Sequence, residues 1–300
     1  PMVIIVSCSL AQIDSVFTLA LLGVLLLMYR KKTVAASGVW MLALMIKPQA
    51  LLIAPIIAIV IINEIAHKET RKRILIDLAL CIPVMLAVYT VISLPMKGGQ
   101  GFFYVFTRML ETTGQYDYAS VNAFNLFALA RGNFIDANTG FLFTSYKAMG
   151  WIMIALSTAL CAYLYIKKND RKYIFITSAI YLTCIFMFAH SMHERYIYPA
   201  VILFIFAAVL HDSRRLLSAA AALSAGAFVN IFAVLSFDGV GTTFLPYVVV
   251  LIGSILFLAA FAWAAVCCAR FYKNEPDKPL SYDFTEVPPL SQRHIDAAKI

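Results

Sequence analysis

Long runs of apolar residues recur along almost the whole chain, and they constrain its fold more than any other feature. A helix needs about 20 apolar residues to cross the hydrocarbon core of a bilayer, which is about 30 Å thick. Of the 300 residues, 62% are hydrophobic and 13% are charged, a composition far from that of a soluble domain. The sequence therefore predicts an all-α fold, a polytopic transmembrane helix bundle.

We assign about ten membrane helical segments to these runs, at residues 1–11, 15–29, 34–46, 50–64, 74–95, 141–166, 173–190, 197–210, 216–236 and 246–270. The chain opens at Pro1 inside an apolar run without a basic segment before it, so we expect the N-terminal part of the bundle to be missing. Residues 1–272 then form the transmembrane domain. Residues 273–300 carry four prolines and mixed charge, which is typical of a disordered cytoplasmic tail.

The basic residues lie mainly in alternate connections between the apolar runs. Fifteen of the 24 Lys and Arg residues fall in five short stretches, at residues 30–32, 67–73, 167–172, 211–215 and 270–273. By the positive-inside rule these stretches face the cytoplasm and the other connections face outward. Because the net charge of +8 is divided among short clusters, no nucleic-acid partner is predicted. We expect a multi-pass protein of the cell membrane, surrounded by membrane lipids.

Two stretches depart from simple spans. Lys47, Pro48 and Gln49 interrupt the apolar residues 34–64, and the proline breaks the helix there. Each half is short for a full crossing, so we predict a helical hairpin that turns near Lys47 and faces a cavity. In the outer loop 96–140, the stripe of aromatic and aliphatic residues in "GGQGFFYVFTRMLETT" predicts a helix lying at the membrane interface.

The sequence "HSMHERYIYPA" places His193, Glu194 and Arg195 at the outer end of an apolar run. Ionisable groups are costly at a membrane boundary, so a cluster of them indicates function; the alternative is an interfacial anchor. His190, His193 and Glu194 follow the order H-x-x-H-E, which matches no zinc-protease motif and lacks a third ligand. We therefore predict no metal and no cofactor.

Lys47 and Gln49 form a second candidate site. A lysine flanked by "WMLALMI" and "PQALLIAPII" needs an anion or water beside it, which favours a phosphate partner; the alternative is a lysine that extends toward the surface from a shallow turn.

Four further polar residues are candidates for substrate binding. Gln12 and Asp14 lie at an outer turn, where Asp14 could instead cap the next helix. Asn122 and Asn125 are three residues apart, so on a helix they would share one face and could hydrogen-bond a sugar or the loop backbone; the alternative is again capping. All these sites are predicted at or near the outer face, where Lys, His and Arg suit the phosphate of a lipid headgroup.

The stretches "SLAQIDSVFTLALL", "LALMIKPQALLIAPI" and "SMHERYIYPA", in this order, resemble the polytopic C-type glycosyltransferases that use polyprenyl-phosphate sugars. The nearest likeness is to bacterial relatives of the second GPI mannosyltransferase. The lipid-linked-oligosaccharide glucosyltransferases, with His-Glu-Lys where this chain has His-Glu-Arg, resemble it more distantly. The resemblance covers roughly residues 1–215.

This resemblance implies a metal-independent hexosyltransferase, with mannose as the favoured sugar, a polyprenyl-phosphate-linked donor and a lipid- or glycan-linked acceptor. His193, Glu194 and Arg195 would be catalytic, and Lys47, Gln49 and Arg195 would hold the donor phosphate on the extracytoplasmic face. Such families use a carboxylate of an early external loop as general base. That loop would precede Pro1, and Asp14 is not taken as its substitute.

Two other functions fit the same polar residues. A lipid-linked glycan transporter or flippase also needs a polar cavity among helices, but it favours ionisable residues within the spans. An outer-face ligase that moves whole glycans between lipid carriers would use the same cations. The size of the product separates a ligase from an enzyme that adds one sugar per turnover.

Overall fold

The computed structural model describes Met2, Val6 and residues 13–113, 116–238 and 245–280, and these residues form an all-α protein with eleven α-helices. The helices are α1 (Asp14–Tyr29), α2 (Thr33–Ile46), α3 (Ala54–Ala66), α4 (Lys68–Met96), α5 (Tyr104–Thr113), α6 (Leu126–Leu129), α7 (Tyr146–Lys168), α8 (Ile174–Phe188), α9 (Tyr198–Leu210), α10 (Arg214–Asp238) and α11 (Tyr247–Tyr272). Two 3-10 helices, Pro48–Ile53 and Arg171–Tyr173, precede α3 and α8. Four short strands are β1 (Ser120–Val121), β2 (Gly140–Phe141), β3 (Thr144–Ser145) and β4 (Met192–His193). The predicted all-α class is confirmed.

Among the residues that the structure describes, six helices are long and apolar enough to cross a membrane, which indicates a membrane protein. They are Pro48–Ala66, Lys68–Met96, Tyr146–Lys168, Arg171–Phe188, Arg214–Phe237 and Tyr247–Tyr272. Three more apolar helices, α1, α2 and α9, have 16, 14 and 13 residues. At a rise of 1.5 Å per residue these three are about 20 to 24 Å long, less than the bilayer core.

The helices of the described residues that are long enough to span a membrane are therefore fewer than the about ten membrane helical segments predicted. The prediction included short apolar runs, and the helices at three of them, α1, α2 and α9, are shorter than a full crossing. The predicted segment 1–11 lies outside the described residues except for Met2 and Val6.

The five basic connections gather at one end of the bundle, here called the basic end. Arg171 joins three of them, because its Nε donates to Glu64 Oε1 at 2.8 Å and its Nη1 donates to the Met28 carbonyl oxygen at 2.7 Å. Lys168 Nζ donates to Asn274 Oδ1 at 2.7 Å, which brings the end of α11 to the same place. The sequence pattern that grouped these connections thus corresponds to one end of the fold.

The chain reverses direction at Lys47. The first residue of α1, Asp14, contacts Lys47, whereas the last turns of α1 and α3 both contact Arg171 at the basic end. Helix α2 therefore runs away from the basic end and α3 returns to it. The returning half, Pro48–Ala66, has 19 residues and is long enough to cross a membrane, unlike the short half that the sequence suggested. The first half, α2, is about 21 Å long. Lys47 at its end therefore does not reach the far side of a bilayer core about 30 Å thick.

Helix α8 is the central element of the bundle. All its residues except Phe188 are buried. Its sequence contains no charged residue that would give it a polar face. A helix that is apolar all round is expected at the centre of a bundle. Residues 189–197 follow its last residue and lie on the side of the bundle opposite the basic end, here called the site end.

The loop between α5 and α7 packs on the site end. Strand β1 pairs in parallel with β4, with Ser120 opposite Met192 and Val121 opposite His193. Asn230 of α10 holds the next residues, because its Nδ2 donates to the Asn122 carbonyl oxygen at 2.7 Å. Helix α5 lies in the loop predicted to contain an interfacial helix, and most of its side chains are exposed.

The start of the predicted disordered tail is held against the basic end. Arg214 Nε donates to the Pro279 carbonyl oxygen at 2.6 Å, and the Leu280 amide donates to Asp212 Oδ1 at 2.7 Å. Ser213 and Asp277 are also hydrogen-bonded. Residues 273–280 are thus anchored to the turn between α9 and α10, and residues 281–300 lie outside the described part of the chain.

Candidate functional site at the Lys47 and Arg195 cluster

Lys47 occupies the turn between α2 and the following 3-10 helix. Its backbone is extended, with φ −154° and ψ 121°, because the residue before a proline is excluded from the helical region. This conformation directs Nζ to Oδ1 of Asp14 at 2.6 Å, and the exposed fractions of the two side chains are only 14% and 3%. Lys47 Nζ also lies 5.5 Å from the centre of the Tyr196 ring. The predicted anionic partner of Lys47 is therefore, in this structure, a carboxylate of the same chain.

Asp14 is the first residue of α1, where the helix dipole favours a negative charge. It does not cap the helix: Ile13 is at the capping position and no side-chain capping bond forms. Its second oxygen, Oδ2, lies 3.8 Å from Arg195 Nε and has no hydrogen-bond partner among the described residues. The capping alternative for Asp14 is therefore wrong, and its carboxylate faces two cations instead.

The segment after α8 places His193, Glu194 and Arg195 beside Asp14. Pairing of β4 with β1 fixes His193 opposite Val121. The pairing also sets the direction of the two residues that follow. Arg195 Nη1 donates to Glu194 Oε1 at 2.9 Å, which makes a second ion pair next to the first. Lys47 and Arg195 are thus each paired with a carboxylate, and the formal charges of these four side chains sum to zero.

His193 is enclosed between two aromatic rings. The centres of the Tyr116 and Tyr196 rings lie 4.8 and 4.9 Å from that of its imidazole, and its exposed fraction is 7%. Burial, with further contributions from Arg195 and Lys47, lowers the pKa of His193 to about 4. The imidazole is consequently neutral at pH 7 and does not add to the positive charge of the site.

Burial also shifts the pKa values of the charged neighbours, in each case in the direction that favours the neutral form of the side chain. The pKa of Glu194 is raised chiefly by burial, and the nearby Arg195 guanidinium opposes that shift. The pKa of Lys47 is lowered, again chiefly by burial, while the Asp14 carboxylate acts in the opposite direction. The ion pairs are what keep these groups charged in a buried place.

A cleft opens beside this cluster. Its enclosed part is about 20 Å³, room for a water molecule but not for a phosphate group. Gln49 contributes an Oε1 atom that is buried and has no hydrogen-bond partner among the described residues. The cleft is lined by Asp14, Phe17, Leu21, Lys47, Gln49, Leu52, Leu182, Tyr196 and Pro199.

The two asparagines lie near this site but serve the loop that covers it. They do not share a helix: Asn122 is in a left-handed backbone conformation with φ 56°, and Asn125 is the N-cap of α6. Asn125 Oδ1 accepts from the Ala128 amide at 2.9 Å, and Asn122 Oδ1 accepts from Asn133 Nδ2 at 3.1 Å. The capping alternative describes Asn125, while Gln12 lies outside the described residues.

Two residues that the sequence analysis did not single out position this loop. Asn230 lies inside α10 with an exposed fraction of 0%; besides its bond to Asn122, its Oδ1 accepts from the Phe124 amide at 2.8 Å. The Phe124 ring packs against Gly253 of α11, where an added Cβ would lie only 2.1 Å from a ring atom. The sequence feature that could have identified Asn230 is a single asparagine in an apolar run. A buried side-chain amide is unfavourable there unless it is hydrogen-bonded.

His190 is separate from this cluster. Its ring lies 5.7 Å from that of Trp151, and Gly150 leaves the space that the imidazole fills. Among the described residues, no group of three His, Cys, Asp or Glu side chains could hold a metal ion.

No protein-family model and no curated protein sequence matches this chain.

Proposed function

We propose that the chain acts as an integral-membrane glycosyltransferase that moves one hexose, with mannose as the first sugar to test, from a polyprenyl-phosphate donor to an acceptor at the site end. The acceptor hydroxyl oxygen forms a bond to the sugar carbon and releases its proton, while the bond from that carbon to the donor phosphate breaks and leaves a polyprenyl phosphate with an additional negative charge. Cations held in place before the reaction stabilise that charge. Lys47 lines the cleft, and Arg195 lies beside it, 3.8 Å from Asp14 Oδ2.

One observation carries this proposal: Lys47 and Arg195 come from distant parts of the sequence, yet both face the carboxylate of Asp14. Two cations around a single pair of oxygen atoms form an arrangement that suits a phosphate equally well. Arg195 offers a planar fork of donors and Lys47 a point charge, the two common ways in which proteins bind phosphate oxygens. Asp14 then occupies the phosphate position while the donor is absent.

The neighbours of the two cations suit the same reaction. Neutral His193 supplies a hydrogen-bonding ring rather than a charge, and Glu194 orients Arg195 through the 2.9 Å bond. Gln49 has an amide oxygen free to accept a hydrogen bond from a sugar hydroxyl. Apolar side chains of the cleft, such as Leu21 and Leu182, favour a ligand that carries a lipid.

The proposed orientation follows from the distribution of charge. The five basic connections gather at one end, and the positive-inside rule assigns that end to the cytoplasm. The site end then faces the extracytoplasmic side of the cell membrane, where a lipid-linked or glycan-linked acceptor would bind.

A second candidate function is transport of a lipid-linked glycan. Buried ion pairs lie at both ends of the bundle, Lys47 with Asp14 at the site end and Arg171 with Glu64 at the basic end. Paired charges at both ends of a bundle favour a transporter, in which each pair would open in turn.

The test is transfer by the purified full-length protein in lipid vesicles. Radiolabelled polyprenyl-phosphate mannose and glucose are offered in separate reactions, with and without EDTA, and products are separated by size. We expect one labelled hexose on the acceptor, equally with EDTA, and none with Arg195→Ala. Arg108→Ala, which removes an exposed ion pair on α5, is the matched control and should retain activity. Transfer of whole glycans would indicate a ligase, and label that crosses the bilayer without a new bond would indicate a transporter.

A further inference from the structure

A larger cavity lies between helices of the bundle, away from Lys47, and opens to the outer surface of the bundle, since Leu160, Ala265 and Ala269 of its lining are exposed. Its volume is about 240 Å³, and its lining is almost wholly apolar. It is formed by Leu160, Leu164, Ile180, Thr183, Cys184, Phe204, Phe261, Ala264, Ala265, Cys268, Ala269 and Tyr272. These lining residues belong to α7, α8, α9 and α11. The cavity is open because Ala264, Ala265 and Ala269 of α11 have small side chains.

The hydroxyl groups in this cavity are already bonded within the protein. Thr183 Oγ1 donates to the Ala179 carbonyl oxygen at 2.7 Å. The Tyr272 hydroxyl is hydrogen-bonded to that of Thr177 at 3.0 Å. A polar ligand would find few partners here, whereas a hydrocarbon chain would regain the dispersion contacts that the surrounding side chains lack.

One end of the cavity lies next to a cation. Lys168 Nζ is 5.9 Å from the centre of the Tyr272 ring, which lines the cavity, and 5.4 Å from that of Tyr173. Its hydrogen bond goes to the neutral side chain of Asn274. Among the described residues, no carboxylate lies within ion-pair distance of Lys168, in contrast to Lys47 and Lys147, which each have one.

We propose that this cavity holds one acyl chain of an anionic phospholipid from the leaflet at the basic end, with its phosphate at Lys168. Basic residues at the end of a membrane bundle attract anionic headgroups, and basic pockets between helices bind them specifically. Two independent features are thus satisfied by one molecule: an apolar cavity takes the chain and a half-buried lysine without a carboxylate takes the charge. Such a lipid would fasten α7 to α11 across the cavity.

The test measures which lipids stay bound to the full-length protein. The protein is exchanged into mixed micelles that contain equal amounts of phosphatidylglycerol and phosphatidylcholine, and retained lipid is counted by native mass spectrometry. We expect one retained phosphatidylglycerol in the wild type and about a tenfold weaker affinity in Lys168→Gln, the loss of one charge-assisted contact. Lys167→Gln is the matched control, because that neighbouring cation lies over Tyr163, outside the cavity.

Two further variants test the chain-binding part. Ala265→Trp fills the cavity and should abolish retention, and Leu164→Ala enlarges it and should leave retention at least as strong. Equal retention of both lipids, or equal weakening by Lys167→Gln and Lys168→Gln, would overturn the role of Lys168. Retention that survives Ala265→Trp, or a different lipid retained in place of the phospholipid, would overturn the site itself. Because sugar transfer is not measured, the outcome does not depend on the proposed function.

Discussion

The ammonium group of Lys47 lies 2.6 Å from Oδ1 of Asp14, a residue 33 positions earlier in the chain. The other oxygen of the same carboxylate lies 3.8 Å from Arg195 Nε. One buried anion therefore sits between two cations contributed by different parts of the fold. Any anionic ligand that uses both cations has to compete with Asp14, and this competition makes the site testable.

Replacing Lys47 alone should destabilise the protein strongly. Lys47→Met leaves the buried Asp14 carboxylate without its hydrogen-bonded cation and with only Arg195, at 3.8 Å, to balance its charge; breaking a buried ion pair costs about 3–5 kcal/mol. The double variant Asp14→Asn with Lys47→Met removes both charges and should recover most of the loss. Thermal unfolding in detergent measures both effects. A Lys47→Met protein as stable as the wild type would show that the pair does not form.

Replacing Asp14 alone should strengthen the binding of an anionic ligand. In Asp14→Asn the two cations lose their internal competitor, so we expect the affinity for polyprenyl phosphate to rise about tenfold, which corresponds to about 1.4 kcal/mol. Equilibrium binding of the labelled lipid measures it. Glu111→Gln, which removes an exposed carboxylate, is the control and should leave the affinity unchanged. Weaker binding in Asp14→Asn would mean that the carboxylate holds the ligand rather than competing with it.

His193 should make the protein less stable in acid. Its pKa is about 4 in the folded protein and about 6.5 when unfolded, so the unfolded state binds the proton more readily between these values. Stability should therefore fall as the pH drops from about 6.5 to 4, by roughly 3 kcal/mol at the limit. Glu194, whose pKa is raised, acts in the opposite direction over its own range, so the comparison needs a variant.

His193→Phe is that variant, because it keeps an aromatic ring between Tyr116 and Tyr196 but cannot be protonated. The difference in melting temperature between pH 7 and pH 5 should shrink in His193→Phe. An identical pH dependence in the two proteins would show that His193 is not buried in its neutral form.

Asn230 should be essential to the loop that carries β1. Asn230→Leu leaves the Phe124 amide and the Asn122 carbonyl oxygen without partners, at a cost of about 1–3 kcal/mol for each buried group. We expect residues 116–125 to become sensitive to limited proteolysis while the helices stay intact. Ser236→Ala, which changes an exposed residue on the same helix, is the control. Unchanged protection in Asn230→Leu would contradict the docking of this loop.

The sequence predicted the parts of the fold that depend on repeated, local signals. The apolar runs predicted the helices, and the basic stretches predicted which connections share one end. Pro48 predicted the helix break at Lys47, because its ring excludes the helix at the preceding residue. These effects act within a few residues and can be read from the sequence directly.

The charge balance of the site could not be predicted in the same way. Lys47 and Arg195 were identified as cations for a phosphate, but the position of Asp14 and Glu194 beside them depends on how three separate segments pack. The neutral state of His193 depends on the rings of Tyr116 and Tyr196, one of them in a distant loop. Asn122 and Asn125 were assigned to one helical face because three residues separate them, whereas tertiary contacts hold Asn122 outside any helix.

The most direct test of the central claim, that Lys47 and Arg195 bind the phosphate of a lipid-linked donor, is the affinity of the purified protein for polyprenyl phosphate. It is measured for the wild type, for Arg195→Ala and for the control Arg108→Ala. We expect Arg195→Ala to bind at least about tenfold more weakly, since a charge-assisted bond to phosphate contributes about 1.4 kcal/mol or more, while Arg108→Ala binds like the wild type. Equal affinity in all three proteins would contradict the account.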